Sequence, residues 1–538
     1  MFEEYDTLVE LLYQVENRFS SKPYLQFKDD KQETSFSHIT FGQFKHRVES
    51  LAASLHHLGV RKGDHIGLVA DNQYKWIISD MAILSLGAAD VPRGNDSTAD
   101  EIRYILNHAD VKYCFVDNPE QAEKVLSVRK DIKTLHVMIL MNGNIHDITT
   151  KWHPFVTVLT FHDLMVEGEK LLLKLQPQLK VIRDSVKAPD LATLIYTSGT
   201  TGPPKGVMLT HRNIIHNVRN LTDILPLDEK DRWLSILPVW HIFERTIEYI
   251  IMAQGCSMAY SKPTANHLLP DLALIKPTYM ASVPRVWESI YNGIIKKMKA
   301  ESRVKFALFT FFIAVGKVFS YCKKTLRNEI PRFKSVFFLW DWIWKMVCAL
   351  ILAVIFIFDF LGDIIIFRKI RVRTGGCLCG PISGGGALPK HVDTFFSAIK
   401  FDILEGYGMT ETSPVIAVRT LDHKVMATVG RPIPKTEVRI CDDFGNPLPN
   451  QHDKGILHVR GDLVMKGYYK DEEKTLQVLS KEGWLNTGDI GRFTMTGDIQ
   501  ITGRAKDTIV LIGGENIEPA PIEALIQEHP LVSHVMVY

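Results

Sequence analysis

Residues 196–207 read Tyr-Thr-Ser-Gly-Thr-Thr-Gly-Pro-Pro-Lys-Gly-Val. A stretch so dense in Gly, Ser and Thr exposes backbone N–H groups and hydroxyls, and these suit the oxygens of a phosphate chain. Lys205 adds a single mobile positive charge. The apolar residues before the loop, 191–196, read as a buried strand. A plain flexible linker does not follow such a strand with one placed lysine. A Walker A loop would end in Gly-Lys followed by Ser or Thr. Here Lys205 stands between Pro204 and Gly206, so no helix starts cleanly at the lysine.

Several elements must hold this loop. Apolar residues at helical spacing (Phe44, Val48, Leu51, Leu55) predict a helix over 38–60. Short apolar runs at 66–70, 113–116, 234–237 and 279–283 read as buried strands, with helices expected over 74–87, 98–108 and 246–253. This strand–helix–strand rhythm predicts a parallel sheet covered by helices. From about residue 438 to 510 the texture changes to β-branched residues and turns such as Asp443-Phe444-Gly445-Asn446-Pro447, which predicts hairpins.

Composition narrows the class. A chain of 538 residues suits one large body plus something smaller. At 46% hydrophobic and 23% charged it is neither disordered, collagen-like nor a coiled coil. Lys+Arg of 63 against Asp+Glu of 61 leaves a net charge of +2, so no global field attracts nucleic acid, although local patches stay open. Seven scattered cysteines, an odd number, argue against a disulfide framework and fit a reducing cytoplasm. Cys377 and Cys379 have no second pair at zinc spacing and read as small residues at a strand end. The start, Met1-Phe2-Glu3-Glu4-Tyr5-Asp6, is acidic and lacks an apolar run, so no secretion signal is expected.

Five segments together carry a family resemblance. Tyr196–Val207 resembles the phosphate loop of the adenylate-forming (AMP-binding) superfamily, which includes acyl-CoA synthetases, firefly luciferases and the adenylation domains of peptide synthetases. Ser383-Gly384-Gly385-Gly386-Ala387 is similar to its adenine-lining segment. Glu405-Gly406-Tyr407-Gly408-Met409-Thr410-Glu411-Thr412 is similar to the block whose aromatic ring stacks on adenine and whose glutamate holds Mg²⁺. Gly483-Trp484-Leu485-Asn486-Thr487-Gly488-Asp489 resembles the block whose aspartate grips the ribose. Thr502-Gly503-Arg504-Ala505-Lys506-Asp507 resembles the hinge between large and small domains. The order matches over more than 300 residues, and the similarity covers essentially the whole chain.

The resemblance implies an α/β fold of the adenylate-forming type. A large AMP-binding body would occupy 1–503, with an apolar insertion over about 296–373 and a β-rich subdomain over about 430–503. Residues 504–538 would begin a small C-terminal α+β domain. ATP or AMP would be bound by Thr197, Ser198, Gly199, Thr200, Thr201, Lys205, Gly384, Gly385, Gly386, Ala387, Glu405, Gly406, Tyr407, Gly408, Thr410, Asp489 and Arg504. Mg²⁺ would sit on Thr197 and Glu411, and Lys506 would be the hinge. A carboxylate and ATP repel each other, so Lys205, the Thr197–Thr201 loop and a Mg²⁺ held through Thr197 and Glu411 are expected to neutralise charge and hold atoms in line for attack on the α-phosphate.

Leu237–Arg245 and Val283–Glu288 resemble blocks of the long-chain acyl-CoA synthetases. Trp240 is then the expected gate to an acyl tunnel. His241 beside it is either catalytic or a satisfied structural histidine. The implied substrates are a long-chain fatty acid, ATP and coenzyme A. The family's late Pro-Lys-Thr…Gly-Lys block, which carries a lysine for the adenylation transition state, has no match before Tyr538, and Val535–Tyr538 patterns as an unfinished strand. The expectation is a C-terminally incomplete chain. A non-catalytic nucleotide- or acyl-binding remnant, or a ligase using another acceptor, are the alternatives.

One feature stands apart from the motifs. Met346–Phe358 is thirteen residues without a polar side chain, preceded by Trp340, Trp342 and Trp344 and followed by Arg368, Lys369, Arg371 and Arg373. As a helix it spans about 20 Å, short of the roughly 30 Å of a bilayer core. A buried core helix, an interfacial helix and a true span all remain open. A peripheral membrane contact through 340–367, on the inner face of a membrane, is the interfacial version. The oligomeric state stays open, a homodimer included.

Overall fold

The computed structural model describes residues 5–28, 35–149, 156–197 and 202–507, with scattered residues beyond. Ser198, Gly199, Thr200 and Thr201 lie outside the described residues. The chain divides into two compact units. The first comprises Met1–Lys262, Thr410–Pro414 and Asp462–Gln477; the second comprises Pro263–Met409, Val415–Gly461 and Val478–Tyr538.

The strands of the first unit are β1 (Pro23–Phe27), β2 (Ser37–Thr40), β3 (His65–Val69), β4 (Ala89–Arg93), β5 (Tyr113–Val116), β6 (Val137–Leu140), β7 (Thr157–Thr160), β8 (Leu191–Thr197), β9 (Lys205–Thr210), β10 (Arg232–Ser235) and β11 (Ser257–Tyr260). One sheet runs β9-β8-β4-β3-β5-β6-β7, with the short strand Gly467–Tyr468 beyond β9. From β8 to β7 the strands are parallel. Ile66 to Val69 of β3 are all buried, the mark of a strand covered on both faces. Val69, Val91, Ile105, Leu106, Val116, Leu140 and Leu194 pack into one apolar core. A second group of strands runs β10-β11-β1-β2.

Two expectations need correction here. The sheet is not wholly parallel: β8 and β9 are antiparallel, as are β9 and Gly467–Tyr468. A parallel return needs a crossover of a dozen or more residues, and the loop between β8 and β9 is too short for one. The helix expected over 38–60 begins only at Phe41, because residues 37–40 are strand β2. Thr40 caps it, its hydroxyl accepting the Gln43 N–H at 3.2 Å while the Gln43 side chain accepts the Thr40 N–H at 3.0 Å.

The first unit also buries charge. Arg245, on helix Ile242–Ala253, donates to Asp90 at 2.9 Å, to Asp80, and to the Tyr249 hydroxyl at 2.7 Å. Tyr249 in turn donates to Asp80 at 2.6 Å. Arg245 and both aspartates are fully buried. Glu244 and Glu248, on the same helix, are buried beside them. Burial pushes Glu244 up to about 8, and burial raises Glu248 well above the carboxylate range.

In the second unit β12 (Tyr279–Ser282), β13 (Gly380–Ser383) and β14 (Leu404–Gly408) are parallel, and β15 (Val415–Val418) and β16 (Arg431–Pro432) follow antiparallel. The β-rich region expected late in the chain is an antiparallel four-stranded sheet of β17 (Glu437–Cys441), β18 (Gly455–Arg460), Leu485–Phe493 and Ile499–Arg504. Val535–Tyr538, expected as a strand, lies outside any strand.

The apolar run belongs to helix Phe338–Gly362, which pairs with helix Arg303–Leu326. The core-helix alternative fails: Leu350 is 64% and Val354 71% exposed. Both helices are long and apolar enough to cross a membrane, and neither is mostly buried.

Candidate active site

The phosphate-loop candidate is the turn of the β8–β9 hairpin. Thr197 and Lys205 are its last cross-strand pair, so their side chains leave the sheet on the same face. Lys205 is half-buried, and its Nζ lies 4.9 Å from the ring centre of Tyr468, a cation–π distance. The Tyr468 hydroxyl donates to Glu411 Oε1 at 2.8 Å. Burial, then the charge of Glu411, push the Tyr468 phenol well above its ordinary range and keep it a donor. One aromatic residue thus touches both charged candidates.

Backbone contacts fix these side chains. Tyr469 N–H donates to Gly206 O at 2.8 Å and Lys466 N–H to Met208 O at 3.0 Å, stitching 466–469 along β9. Glu411 is held by its carbonyl, which accepts the Met465 N–H at 2.8 Å. Its neighbours are held too. Asn217, on helix His211–Ile224, donates to Thr412 O at 3.1 Å, and the Ser413 hydroxyl donates to Leu463 O at 2.9 Å.

The acyl-gate candidate lies in the same unit. Trp240 is half-buried, and Asn72 holds the segment before it, donating to Ser235 Oγ at 3.0 Å and accepting the Val239 N–H at 2.9 Å. A Cβ on Gly94 would lie 2.3 Å from Trp240 Nε1, so only glycine lets the indole rest there. The Arg93 guanidinium sits 5.6 Å from the Trp240 ring and donates to Tyr196 O at 3.2 Å, joining the indole to the residue before the loop. His241 is the N-cap of helix Ile242–Ala253, its Nδ1 accepting the Phe243 N–H at 3.3 Å, which is the structural alternative left open by the sequence.

The second unit groups the remaining candidates. Tyr407 donates to Asp489 Oδ2 at 2.6 Å, and Arg504 Nε donates to Asp489 Oδ1 at 3.1 Å. Asp489 is buried, and burial raises its pKa against the pull of these two partners. A carboxylate accepts about four hydrogen bonds, so acceptor positions remain beside the two in use. Gly385, Gly386 and Ala387 form an exposed turn after β13, with Gly384 buried and Gly385 at φ +76°. Gly406 is half-buried, Gly408 exposed and Thr410, in the first unit, buried.

Glu405, expected at the nucleotide, has its carboxylate engaged by protein groups. Its carboxylate is buried, accepts the Leu388 N–H at 3.1 Å and pairs with Arg419 at 2.9 Å. Arg419 also pairs with Asp393 at 3.0 Å. Burial pushes Glu405 up to about 7 despite Arg419. The side chain therefore holds the end of the 384–388 turn to β14. Lys506 is exposed in the turn after Arg504, where Ala505 N–H donates to Gly488 O at 2.9 Å.

A family model described as AMP-binding enzyme matches residues 13–469. The chain belongs to the AMP-binding enzyme family. A second model, the AMP-binding enzyme C-terminal domain, matches 506–538. The chloroplastic long-chain-fatty-acid–[acyl-carrier-protein] ligase AEE15 of Arabidopsis thaliana is 36% identical, over 93% of this chain and 70% of its own length. The long-chain-fatty-acid–CoA ligase FadD15 of Mycobacterium bovis is 30% identical, over 93% of this chain and 75% of its own. Among solved structures, a long-chain-fatty-acid-CoA ligase (FadD1) from Archaeoglobus fulgidus superposes with a TM-score of 0.68 at 18% identity, covering all of this chain and 89% of that one. The adenylate-forming fold is therefore present, and this AMP-binding enzyme is an acyl-activating, adenylate-forming ligase.

The donor chemistry fits Mg²⁺. The hydroxyl of Thr197 and the carboxylate of Glu411 are hard oxygens in one unit of the AMP-binding enzyme. Mg²⁺ takes one or two such protein ligands and completes its shell with phosphate oxygens and water. Among the described residues no cluster of three His, Cys, Asp or Glu offers an all-protein cage. Bound there, the ion would offset phosphate charge. Sequence reasoning missed Tyr468, Asn72, Arg93 and Gly94. The only signals were a Gly-Tyr-Tyr step at 467–469 and an Arg-Gly step after a strand.

Proposed function

We propose that the chain activates a long-chain fatty acid with ATP and passes the acyl group to the thiol of coenzyme A. In the first step a carboxylate oxygen attacks the α-phosphorus, forming acyl-AMP and releasing pyrophosphate. In the second, the thiol sulfur attacks the acyl carbonyl, the carbon–oxygen bond to AMP breaks, and the thiol proton passes to solvent. The observation that carries this reading is the Lys205–Tyr468–Glu411 contact set, with Thr197 paired across the hairpin from Lys205. Lys205 and Thr197 would face phosphate oxygens, and Tyr468 would hold Glu411 in place. In the second unit Tyr407 would lie against adenine, and Asp489 with Arg504 would take the ribose. Trp240, set by Gly94 and Asn72, would close over the acyl chain. All seven cysteines are free, which fits the cytoplasm.

Pyrophosphate exchange dependent on palmitate tests the first step without any acceptor. No exchange, with ATP still bound, from this chain and from one carrying the family's late Gly-Lys segment would favour a binding remnant and sink the enzymatic reading. The name of the 36% identical relative favours a second acceptor, the phosphopantetheine thiol of an acyl-carrier protein. Both acceptors present the same thiol. Acyl transfer measured with coenzyme A and with holo acyl-carrier protein decides, and transfer only to the carrier protein would overturn the coenzyme A assignment.

A further inference from the structure

The two insertion helices present an apolar surface that the active-site reading does not use. On helix Phe338–Gly362 the side chains Trp340, Leu350, Val354 and Phe356 are all more than half exposed, and Val304 and Phe311 continue the apolar surface on helix Arg303–Leu326. Exposing this much contiguous apolar surface to water is unfavourable by about 25 cal/mol for every Å². Something covers it.

Charge says what. Between Lys296 and Arg373 there are sixteen Lys and Arg against five Asp and Glu, a net +11. The whole chain is only +2, so the rest of it carries −9. Twelve of the sixteen cations are exposed, Arg368, Lys369 and Arg373 among them. A second copy would bring two such cationic faces together. An anionic lipid surface instead meets apolar side chains, cations and three tryptophans at once.

The attachments decide the orientation. A helix of 25 residues is about 37 Å long, enough to cross a bilayer core of about 30 Å. A span would hold its two ends on opposite sides of the membrane. Here both ends are tied to the second unit. At the start, Asp341 pairs with Arg332 and with Lys345 at 2.9 Å, the Arg332 carbonyl accepts the Met495 N–H at 2.7 Å, and Arg492 stacks on Phe333 at 3.5 Å. At the far end Asp359 pairs with Lys400 at 2.8 Å, and Arg371 donates to Ile399 O at 2.7 Å. Along its length the helix rests on its partner, with Gly362 close against Phe312; a Cβ at Gly362 would lie 2.9 Å from that ring. The partner helix is seated on helix Lys390–Ala398 through Gly316 and a 2.7 Å Ser320–Ser397 hydrogen bond. The helix therefore lies along the unit and cannot stand away from it to span.

We infer that the hairpin of helices Arg303–Leu326 and Phe338–Gly362 is a monotopic anchor, lying in the plane of an anionic membrane leaflet with its apolar face in the acyl boundary. The whole chain is tested by flotation with vesicles of phosphatidylcholine alone and with one quarter phosphatidylglycerol. Binding is expected to the anionic vesicles and to fall as salt rises. Each Lys or Arg near such a surface is worth about fivefold in partition, so the Arg368→Gln/Lys369→Gln/Arg373→Gln variant should lose about tenfold or more, and with it much of the salt dependence. Leu350→Asp/Val354→Asp should lose about tenfold or more at an unchanged melting temperature, since both side chains point to solvent in the protein alone. Tryptophan quenching by lipids brominated near the headgroup should exceed quenching by lipids brominated at the chain end. A wild-type chain that stays with the buffer overturns the inference, as does vesicle binding untouched by either variant. Strongest quenching from the chain ends would replace the in-plane anchor by a span. A dimer broken by Leu350→Asp/Val354→Asp, without vesicle binding, would make the face a copy–copy interface and overturn it too.

Discussion

Replacing Tyr468 by Phe removes one hydrogen bond and leaves the ring under Lys205. The lost contact is a 2.8 Å bond from a phenol to a carboxylate. Bonds to charged groups contribute about 1.5–3 kcal/mol, so an interaction needed to aim Glu411 should cost about 10- to 150-fold in kcat/KM for acyl-AMP formation. Tyr468→Ala also removes the cation–π contact at 4.9 Å, worth about 0.5–2 kcal/mol and a further 2- to 30-fold. The assay is palmitate-dependent pyrophosphate exchange at saturating ATP and Mg²⁺. If Tyr468 is a positioning residue acting through Glu411, its effect must shrink when the carboxylate is gone. In a Glu411→Gln background Tyr468→Phe should therefore cost only about fivefold, the value of a neutral bond of about 1 kcal/mol. A Tyr468→Phe enzyme within twofold of wild type would refute the reasoning. So would an undiminished loss in the Glu411→Gln background, which would mean that Tyr468 works by some route other than the glutamate.

Three more outcomes follow from buried contacts. Gly94→Ala forces a Cβ to 2.3 Å from Trp240 Nε1, so the indole must move; the KM for the fatty acid should rise several-fold while that for ATP stays put, and an equal rise in both would remove Trp240 from the acyl path. Glu244 holds a proton in the folded chain up to about pH 8, whereas the unfolded chain releases it near 4.5. The fold is thus undisturbed by this group below the lower value and loses stability as pH rises toward the upper one. Denaturant melts of Glu244→Gln should match wild type near pH 5 and exceed it by a few kcal/mol near pH 8; a constant difference across that window would contradict the burial argument. Arg245→Met strips the cation from two fully buried aspartates and should destabilise the chain by about 3–5 kcal/mol, read as insoluble expression or a sharply lowered melting temperature, and a melt unchanged from wild type would show that the buried aspartates do not depend on the arginine.

The phosphate-loop candidate and its lysine stood out in the sequence because Gly, Ser, Thr and Pro punctuate a chain strongly and a buried strand precedes them. The blocks expected at adenine and ribose stood out as motifs, and Tyr407, Asp489 and Arg504 do meet in the fold. Glu405 shows the limit. Its motif pointed to nucleotide, yet the burial and the ion pair with Arg419 that govern its carboxylate depend on a residue fourteen positions away. Tyr468 was invisible because a two-residue strand has no period to detect. The helix expected from residue 38 was misplaced by three residues because Thr40 caps it, and periodicity cannot see a cap. The apolar run at 346–358 was read from hydropathy alone, which reports that a surface avoids water and not whether protein or lipid covers it.

The pairing of Thr197 with Lys205 has a consequence for how this loop can vary. The seven residues 198–204 join two positions already fixed opposite each other by the hairpin. Changing the length of that stretch alters only a slowly varying closure entropy. The lysine stays where it is. A single residue inserted within β9 acts differently: it turns Lys205 to the other side of the sheet and every side chain before the insertion with it, because strand periodicity is two. The hairpin thus separates the tolerance of the loop for changes in length from the intolerance of its lysine to changes in register.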